Sequence, residues 1–418
     1  MQKSRSARWG AAQVCCGEEV LMSGSALFRP TFTDLRVEVE RRVANEESPD
    51  AIAALIDEFL AAGGDTSAPI IEYDGAVTWL FRSATAQSVS VVGDVPGYRL
   101  DQTRMTRLQG SDLFYLTMHL PLDAHMAYAF AVDMSETTAR TRWLDRCTPD
   151  PLNPQRIIMT DPLRMMSVLN MPGAAPLIAG FDTLAETPMF AGMHVIWSAA
   201  LGCWRRLWVY LPPGYDPATR RYPAVHLLDG EAYLLSAGLP LLLDLLIDQN
   251  EVSPVIAVLI EPPPVRVSSA VWVRFVVDDV LPWVDARYAT SRDPFDRIIG
   301  GADEHATRAL TIMLQRPDVF GGALAQSPQM PPTRRIATLL DRHLACGGDA
   351  PRCYVDVGRY DEPGMIESTQ SLCSVLVSGG AAVSYQEFAG GRSFAGWRVT
   401  LPDALRFHFG TSSLASLT

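Results

Sequence analysis

The stretch Arg297-Ile-Ile-Gly-Gly-Ala-Asp-Glu-His-Ala-Thr-Arg-Ala-Leu310 constrains this chain more than any other. Ile298 and Ile299 form a short apolar strand that runs into two glycines. A tight turn follows, and then an Ala/Leu-rich helix. This is the layout of a nucleophile elbow, in which a G-x-S-x-G turn holds a serine hydroxyl above a sheet edge. The frame here is Gly301-Ala302-Asp303-Glu304-His305. Asp303 stands at the serine position and His305 at the second glycine. The frame is present without the serine chemistry.

The segments around the elbow repeat its strand-then-helix rhythm. Arg205 to Tyr215 reads as a strand ending in a turn, Tyr222 to Gly230 as a strand stopped by Asp229-Gly230, and Val255 to Ile260 as a buried strand. Val276 to Tyr288 reads as a helix. Phe320 to Ala325 and Arg352 to Val357 are further strands. Apolar strands alternating with helices imply a mostly parallel sheet covered on both faces. The N-terminal part differs. Residues 33–62 carry a helical period in Ile52, Leu55, Ile56, Phe59 and Leu60, ended by Gly63-Gly64. Short strand-like runs then follow: Val77 to Phe81, Val89 to Val92, Leu113 to Met118 and Met126 to Val132, with turns at Gly93-Asp94 and Pro96-Gly97. Their spacing predicts a small Ig-like β-sandwich. Asp150-Pro-Leu-Asn-Pro154 reads as its exit. The expected organisation is an extension without fixed structure over 1–29, a sandwich domain with a leading helix over 30–160, a linker over 161–188, and an α/β domain over 189–418. Met22 is a candidate start site.

A chain of 418 residues exceeds one ordinary core, in keeping with two domains. The net charge of −12 argues against a nucleic-acid partner, whose phosphates need a basic face. No apolar run is long enough for a membrane span. The cysteines are Cys15, Cys16, Cys147, Cys203, Cys346, Cys353 and Cys373, an odd count without a C-x-x-C pair. That pattern suits reduced, mostly buried thiols in a cytoplasmic protein, and neither a disulfide frame nor a zinc site. Asp303-Glu304-His305 is no metal site either, because consecutive residues in a tight turn point in different directions. No cofactor is expected.

Several segments together resemble the enterochelin esterase group of α/β-hydrolases, which cleave the ester bonds of catecholate siderophores. The N-terminal likeness lies in Thr78-Trp-Leu-Phe-Arg82, Leu113-Phe-Tyr115 and Asp150 to Pro154. In the second domain it lies in Ser198-Ala-Ala-Leu-Gly202, Leu207 to Tyr215, Leu227-Leu-Asp-Gly230, Ser291-Arg-Asp-Pro294 and Ala325-Gln-Ser327. Glu387-Phe-Ala-Gly-Gly391 and Ala395-Gly-Trp-Arg398 complete it. The resemblance implies an α/β-hydrolase fold behind an N-terminal β-sandwich, and a siderophore-like or ester ligand, or else a protein partner. It also locates the departures. The family's elbow serine falls on Asp303, and the histidine of its Gly-Gly-His segment falls on Arg392. Its acidic support falls between Gly358 and Glu362, and the glutamate of an Arg-x-x-Glu-Leu segment is missing around Arg266 to Val271.

Ester cleavage by a serine needs an oxygen nucleophile and a neighbour that takes its proton near neutral pH. A guanidinium stays protonated and has no lone pair to offer, so Arg392 cannot be that neighbour. Asp303 needs no activation as a nucleophile, but an aspartyl ester still needs a base to activate the water that clears it. The loop at Asp229-Gly230 and the backbone N–H of Glu304 mark the oxyanion region. Asp303 and Glu304 offset the positive end of the helix there, and His305 crowds a turn that favours glycine. Two readings follow: a catalytically degenerate relative that acts by binding, or a carboxylic-ester hydrolase working through Asp303 or Ser327. On the first, Asp303 and Arg392 form a charge-assisted ion pair shared with Glu362. The remaining candidates read as structural: His226 as a core residue, His408 as a surface residue on the last helix, and Ser327 as a strand end without a base. Trp79, Trp272 and Trp397 read as core or pocket-wall aromatics, and Pro262-Pro-Pro264 as a rigid loop.

Overall fold

The computed structural model describes residues 31–63, 68–95, 100, 102–134, 147–160, 163–175, 191–329, 333–345 and 349–411. The extension over 1–29 with Met22, Cys15 and Cys16, the Pro96-Gly97 turn, Cys346 and much of the 161–188 span lie outside them.

The helical period at the front forms two helices, α1 (Phe32–Ala44) and α2 (Pro49–Gly63). Thr31 starts α1 with a capping box: its hydroxyl accepts from the Asp34 N–H and the Asp34 carboxylate accepts from the Thr31 N–H. Leu35, Val39, Ile52 and Ile56 line one buried face, which packs on Leu80, Leu108 and Leu113 of the sandwich. Two four-stranded sheets follow. One has the order β1 (Ile70–Ile71), β2 (Ala76–Arg82), β5 (Leu113–His119), β4 (Thr106–Arg107). The other has the order β3 (Val89–Gly93), β6 (His125–Val132), β8 (Leu163–Asn170), β7 (Arg156–Thr160). Trp79, Tyr128 and Phe130 fill the space between them.

Two boundaries differ from the sequence reading. Asp150 to Pro154 is no exit but a knot inside the sandwich. The Tyr128 hydroxyl donates to Asp150 Oδ2 at 2.7 Å, and the Asn153 amide donates to the Val168 carbonyl at 2.8 Å. Burying polar groups at a turn is tolerable when each finds a partner, and a sequence pattern does not show the partners. The span read as a linker from 161 holds β8, which pairs with both β6 and β7. The sandwich therefore runs at least to Asn170.

The second domain is built on an eight-stranded sheet in the order β16 (Ala382–Phe388), β15 (Arg352–Gly358), β14 (Gly322–Gln326), β13 (Arg297–Ala302), β11 (Ala224–Leu228), β12 (Ile256–Ile260), β10 (Cys203–Tyr210), β9 (Ala191–Ser198). The strands from β16 to β12 are parallel, and β10 and β9 are antiparallel. Apolar residues on both faces of the central strands feed two separate cores, as a sheet covered on both sides requires. The connecting helices are α3 (Gly230–Leu235), α4 (Leu239–Asp248), α5 (Ser269–Arg274), α6 (Leu281–Asp285), α7 (Glu304–Gln315), α8 (Thr333–Ala345), α9 (Met365–Ser378) and α10 (Phe394–Phe409). A π-helical turn, Phe275–Val280, joins α5 to α6. This composite helix starts earlier than the predicted Val276 and stops at Asp285.

His408 is a correction. It is buried, its Nε2 lies 3.1 Å from the Ala323 carbonyl, and burial with the nearby Arg352 charge depresses its pKa to about 3. Helix α10 lies between the parallel sheet and sandwich strands β6 and β7, so both its sides are covered. His226 is fully buried in β11 beside Phe320, as a core residue. Trp79, Trp272 and Trp397 are also buried. Cys147, Cys203, Cys353 and Cys373 are free thiols. No helix among the described residues is long and apolar enough to cross a membrane.

Candidate active site

Strand β13 delivers the elbow. Gly301 lets the helix return close to the strand, because a Cβ there would lie 2.8 Å from the His305 backbone. Asp303 sits between strand and helix with φ 55° and ψ −124°. This backbone conformation costs a non-glycine residue about 1–3 kcal/mol and persists only where its surroundings dictate it. The Asp303 N–H donates to the Gln326 carbonyl at 2.9 Å, and the Gln329 N–H donates to the Asp303 carbonyl at 3.2 Å. The side chain makes no helix-cap bond and is therefore available to the site.

Two loops beyond the parallel strands bring the other residues. The loop after β15 carries Glu362 and the loop after β16 carries Arg392. Arg392 Nε lies 3.5 Å from Asp303 Oδ2, and its Nη2 lies 3.4 Å from Glu362 Oε1. The three residues singled out in the sequence thus come together, a guanidinium between two carboxylates. Burial raises the Asp303 pKa above the usual carboxylate value; Arg392 pulls against this, while the Asp229 and Glu304 charges add to it. Asp303 Oδ1 is buried without a hydrogen-bond partner among the described residues.

The oxyanion region has its own pairing. Asp229, at a left-handed φ of 82°, ends β11, and Gly230 begins α3 against the backbone of Leu259 and Ile260. Asp229 Oδ1 lies 2.5 Å from His305 Nδ1. Burial pulls the imidazole pKa down, but the charge and hydrogen bond of Asp229 outweigh it and hold it above its usual value. His305 is turned toward Asp229, which favours its protonated form, and toward the Trp272 ring, whose centroid is 5.4 Å away. Glu304 lies 3.7 Å from His305 Nε2 and 3.6 Å from Arg266. The sequence predicted crowding at His305. The structure relieves it by aiming the ring at a residue far away in the chain, a contact for which no sequence signal exists.

Ser327 is enclosed within the domain. It is fully buried at a φ of 46°, and its hydroxyl accepts from the Trp397 indole N–H at 3.0 Å. Behind it lie two carboxyls that sequence reasoning missed. Burial raises Asp356 and Asp361 each to about 7. Asp356 accepts from the Thr400 hydroxyl at 2.6 Å, and Asp361 accepts from the Gly358 N–H at 3.1 Å. Asp361 neighbours Glu362, so the Gly358-to-Glu362 segment held both acids and the sequence could not rank them. Among the described residues no group of three or more His, Cys, Asp or Glu is placed to hold a metal ion.

A family model described as "Putative esterase" matches residues 198–408, and one described as "Enterochelin esterase, N-terminal" matches residues 76–179. The chain belongs to the enterochelin esterase family of α/β-hydrolases. Solved enterobactin esterases share its fold. The enzyme from Salmonella typhimurium is 23% identical, covering 81% of this chain and 95% of that one, with a TM-score of 0.67. The enzyme from Shigella flexneri, solved in the presence of enterobactin, is 24% identical over 79% of this chain and 92% of that one, with a TM-score of 0.64. A curated relative, an endo-1,4-beta-xylanase/feruloyl esterase of Xylanibacter ruminicola, is 25% identical over 154 residues. That match spans 32% of this chain and only 21% of the relative.

Proposed function

We propose that this chain is a catalytically degenerate enterochelin-esterase relative that binds a catecholate siderophore, or a fragment of one, without hydrolysing it. The observation that carries the reading is Arg392 held between Asp303 and Glu362. A guanidinium there accepts no proton, and the imidazole of His305, two residues along the elbow, is committed to Asp229. Serine-type acyl transfer needs the transfer those positions have lost. The ligand class comes from the relatives: the Shigella flexneri enzyme was solved with enterobactin, with 2,3-dihydroxy-N-benzoyl-serine and with 2,3-dihydroxy-N-benzoyl-glycine. On this reading the protein works in the cytoplasm, where Cys147, Cys203, Cys353 and Cys373 stay reduced.

The second reading, an ester hydrolase using Asp303 as nucleophile, draws on one observation, the unpartnered Asp303 Oδ1 at a strained elbow. It lacks a base to clear the aspartyl ester. The test combines enterobactin binding, followed by tryptophan fluorescence, with hydrolysis of enterobactin and of an activated aryl ester. Binding without turnover is expected, and Asp303→Ser with Arg392→His should restore hydrolysis. Turnover by the native chain that disappears in Asp303→Ala would establish the second reading, and a native chain that does not bind enterobactin would remove the assigned ligand.

A further inference from the structure

The loop that carries Arg392 is held on its far side by the sandwich domain. Asp94, in the turn after β3, is fully buried. Its Oδ2 accepts from the Ser393 hydroxyl at 2.6 Å and from the Ala127 N–H at 2.8 Å. The contact has no slack, because a Cβ on Gly391 would lie 2.7 Å from the Asp94 Cβ. One residue earlier, a Cβ on Gly390 would lie 2.8 Å from the His125 carbonyl oxygen. The His125 N–H donates to the Ala389 carbonyl at 2.9 Å. Residues 389, 390, 391 and 393 thus all rest on β6 or on Asp94, and Arg392 is the member of the run whose side chain leaves it for the elbow. The Tyr360 N–H donates to the Gly390 carbonyl at 3.0 Å, which ties the Glu362 loop to the same support.

We infer that Asp94 is a positioning residue: through Ser393 and Gly391 the sandwich domain sets where the residue-392 side chain stands relative to Asp303 and Glu362. The N-terminal domain is then a structural part of the elbow site. A side chain on a glycine-flanked loop samples many directions unless the backbone on both sides is fixed. Asp94 supplies that fixation from the other domain, with a carboxylate that accepts two hydrogen bonds and packs against Gly391. The inference holds whatever ligand the site takes, because it concerns the geometry of the elbow alone.

The readout is the Asp303 carboxyl, which Arg392 lowers while Asp229 and Glu304 raise it and His305 lowers it. Full-length protein labelled with ¹³C at the aspartate carboxyls is titrated by NMR, with Asp303→Asn assigning the signal. Removing an opposite charge at this distance from a partly exposed carboxylate raises its midpoint by about one pH unit, so Arg392→Gln sets the scale. Asp94→Ala is expected to move Asp303 upward by at least half of that shift. Asp94→Asn, which loses the charge but keeps an oxygen acceptor, is expected to leave Asp303 at or slightly below its wild-type midpoint. Loss of a negative charge alone would move Asp303 downward, so the sign separates positioning from plain electrostatics. Should Asp94→Ala fail to fold, Ser393→Ala removes the donor instead and is expected to shift Asp303 in the same upward direction. A folded Asp94→Ala, or failing that a folded Ser393→Ala, whose Asp303 titrates at or below the wild-type midpoint overturns the inference. So does an Arg392→Gln that leaves Asp303 unmoved.

Discussion

Removing the charge of Arg392 should cost stability in a way that depends on pH. Arg392 lies 3.5 Å from Asp303 and 3.4 Å from Glu362. At an effective dielectric of about 20, two unit charges 3.5 Å apart attract by about 332/(20 × 3.5), roughly 5 kcal/mol. That is a ceiling. The Asp303 and Glu362 side chains are 33% and 36% exposed, so water and salt screen the attraction. Arg392 is only 12% exposed and lost much of its own hydration on folding. Exposed pairs are worth about 0–1 kcal/mol and breaking a buried pair costs about 3–5, which places the Asp303–Arg392 coupling at about 1–2.5 kcal/mol. The pH dependence follows from Asp303. Its folded-state pKa is raised above the unfolded value, so ionised Asp303 costs stability at high pH, and that cost is relieved as pH falls through the folded pKa. Without Arg392 the folded pKa rises further. Arg392→Gln should therefore be most harmful near pH 8 and milder near pH 5. The assay is a double-mutant cycle of Asp303→Asn, Arg392→Gln and the pair, by urea unfolding at both pH values. A coupling below about 0.3 kcal/mol near pH 8, or one that does not shrink on acidification, would refute the ion-pair account of the elbow.

Two further outcomes follow from the same region. Asp229→Asn removes the charge that raises the His305 pKa, leaving burial to dominate, so the imidazole should titrate at a lower pH than in the native chain; its ¹⁵N shifts report this directly. Asp356 has a folded pKa of about 7 against 3.8 unfolded, so its contribution to stability falls as pH rises between those values and stays low above them. Asp356→Asn should accordingly gain stability relative to the native chain between pH 5 and pH 8 in urea unfolding, and an unchanged difference would show that Asp356 is not titrating there.

How much of this was visible in the sequence depends on how local each signal was. The elbow could be read because a strand, two glycines and a helix are consecutive, and the backbone at Asp303 follows from that arrangement. The positions of Asp303, Arg392 and Glu362 could be read because each lies at a fixed place after a parallel strand. The residues that surround them could not. Asp94 looks like part of a Gly-Asp turn, and only its burial against Gly391 shows that it reaches another domain. His408 reads as exposed because the helix is covered by a sheet on one side and by a sandwich on the other, which leaves only a narrow exposed edge that includes Asp403 and Arg406. Residues 163–170 read as part of a linker because they follow a proline-punctuated stretch, although pairing with β6 and β7 makes them sandwich.

These non-local contacts also explain how the elbow backbone holds with an aspartate at 303. The φ of 55° at Asp303 is imposed by hydrogen bonds to the Gln326 carbonyl and from the Gln329 N–H, and by the close return of α7 onto Gly301. None of these involves the side chain at 303. The loop that carries Arg392 is fixed from behind by Asp94 and His125, again without use of its side chain. The two reacting positions are therefore held by the fold independently of what occupies them. A carboxylate and a guanidinium there, instead of a hydroxyl and an imidazole, leave the backbone intact and put an ion pair across the elbow. In a scaffold of this kind the side chains at 303 and 392 can change while the backbone around them stays under the control of residues elsewhere.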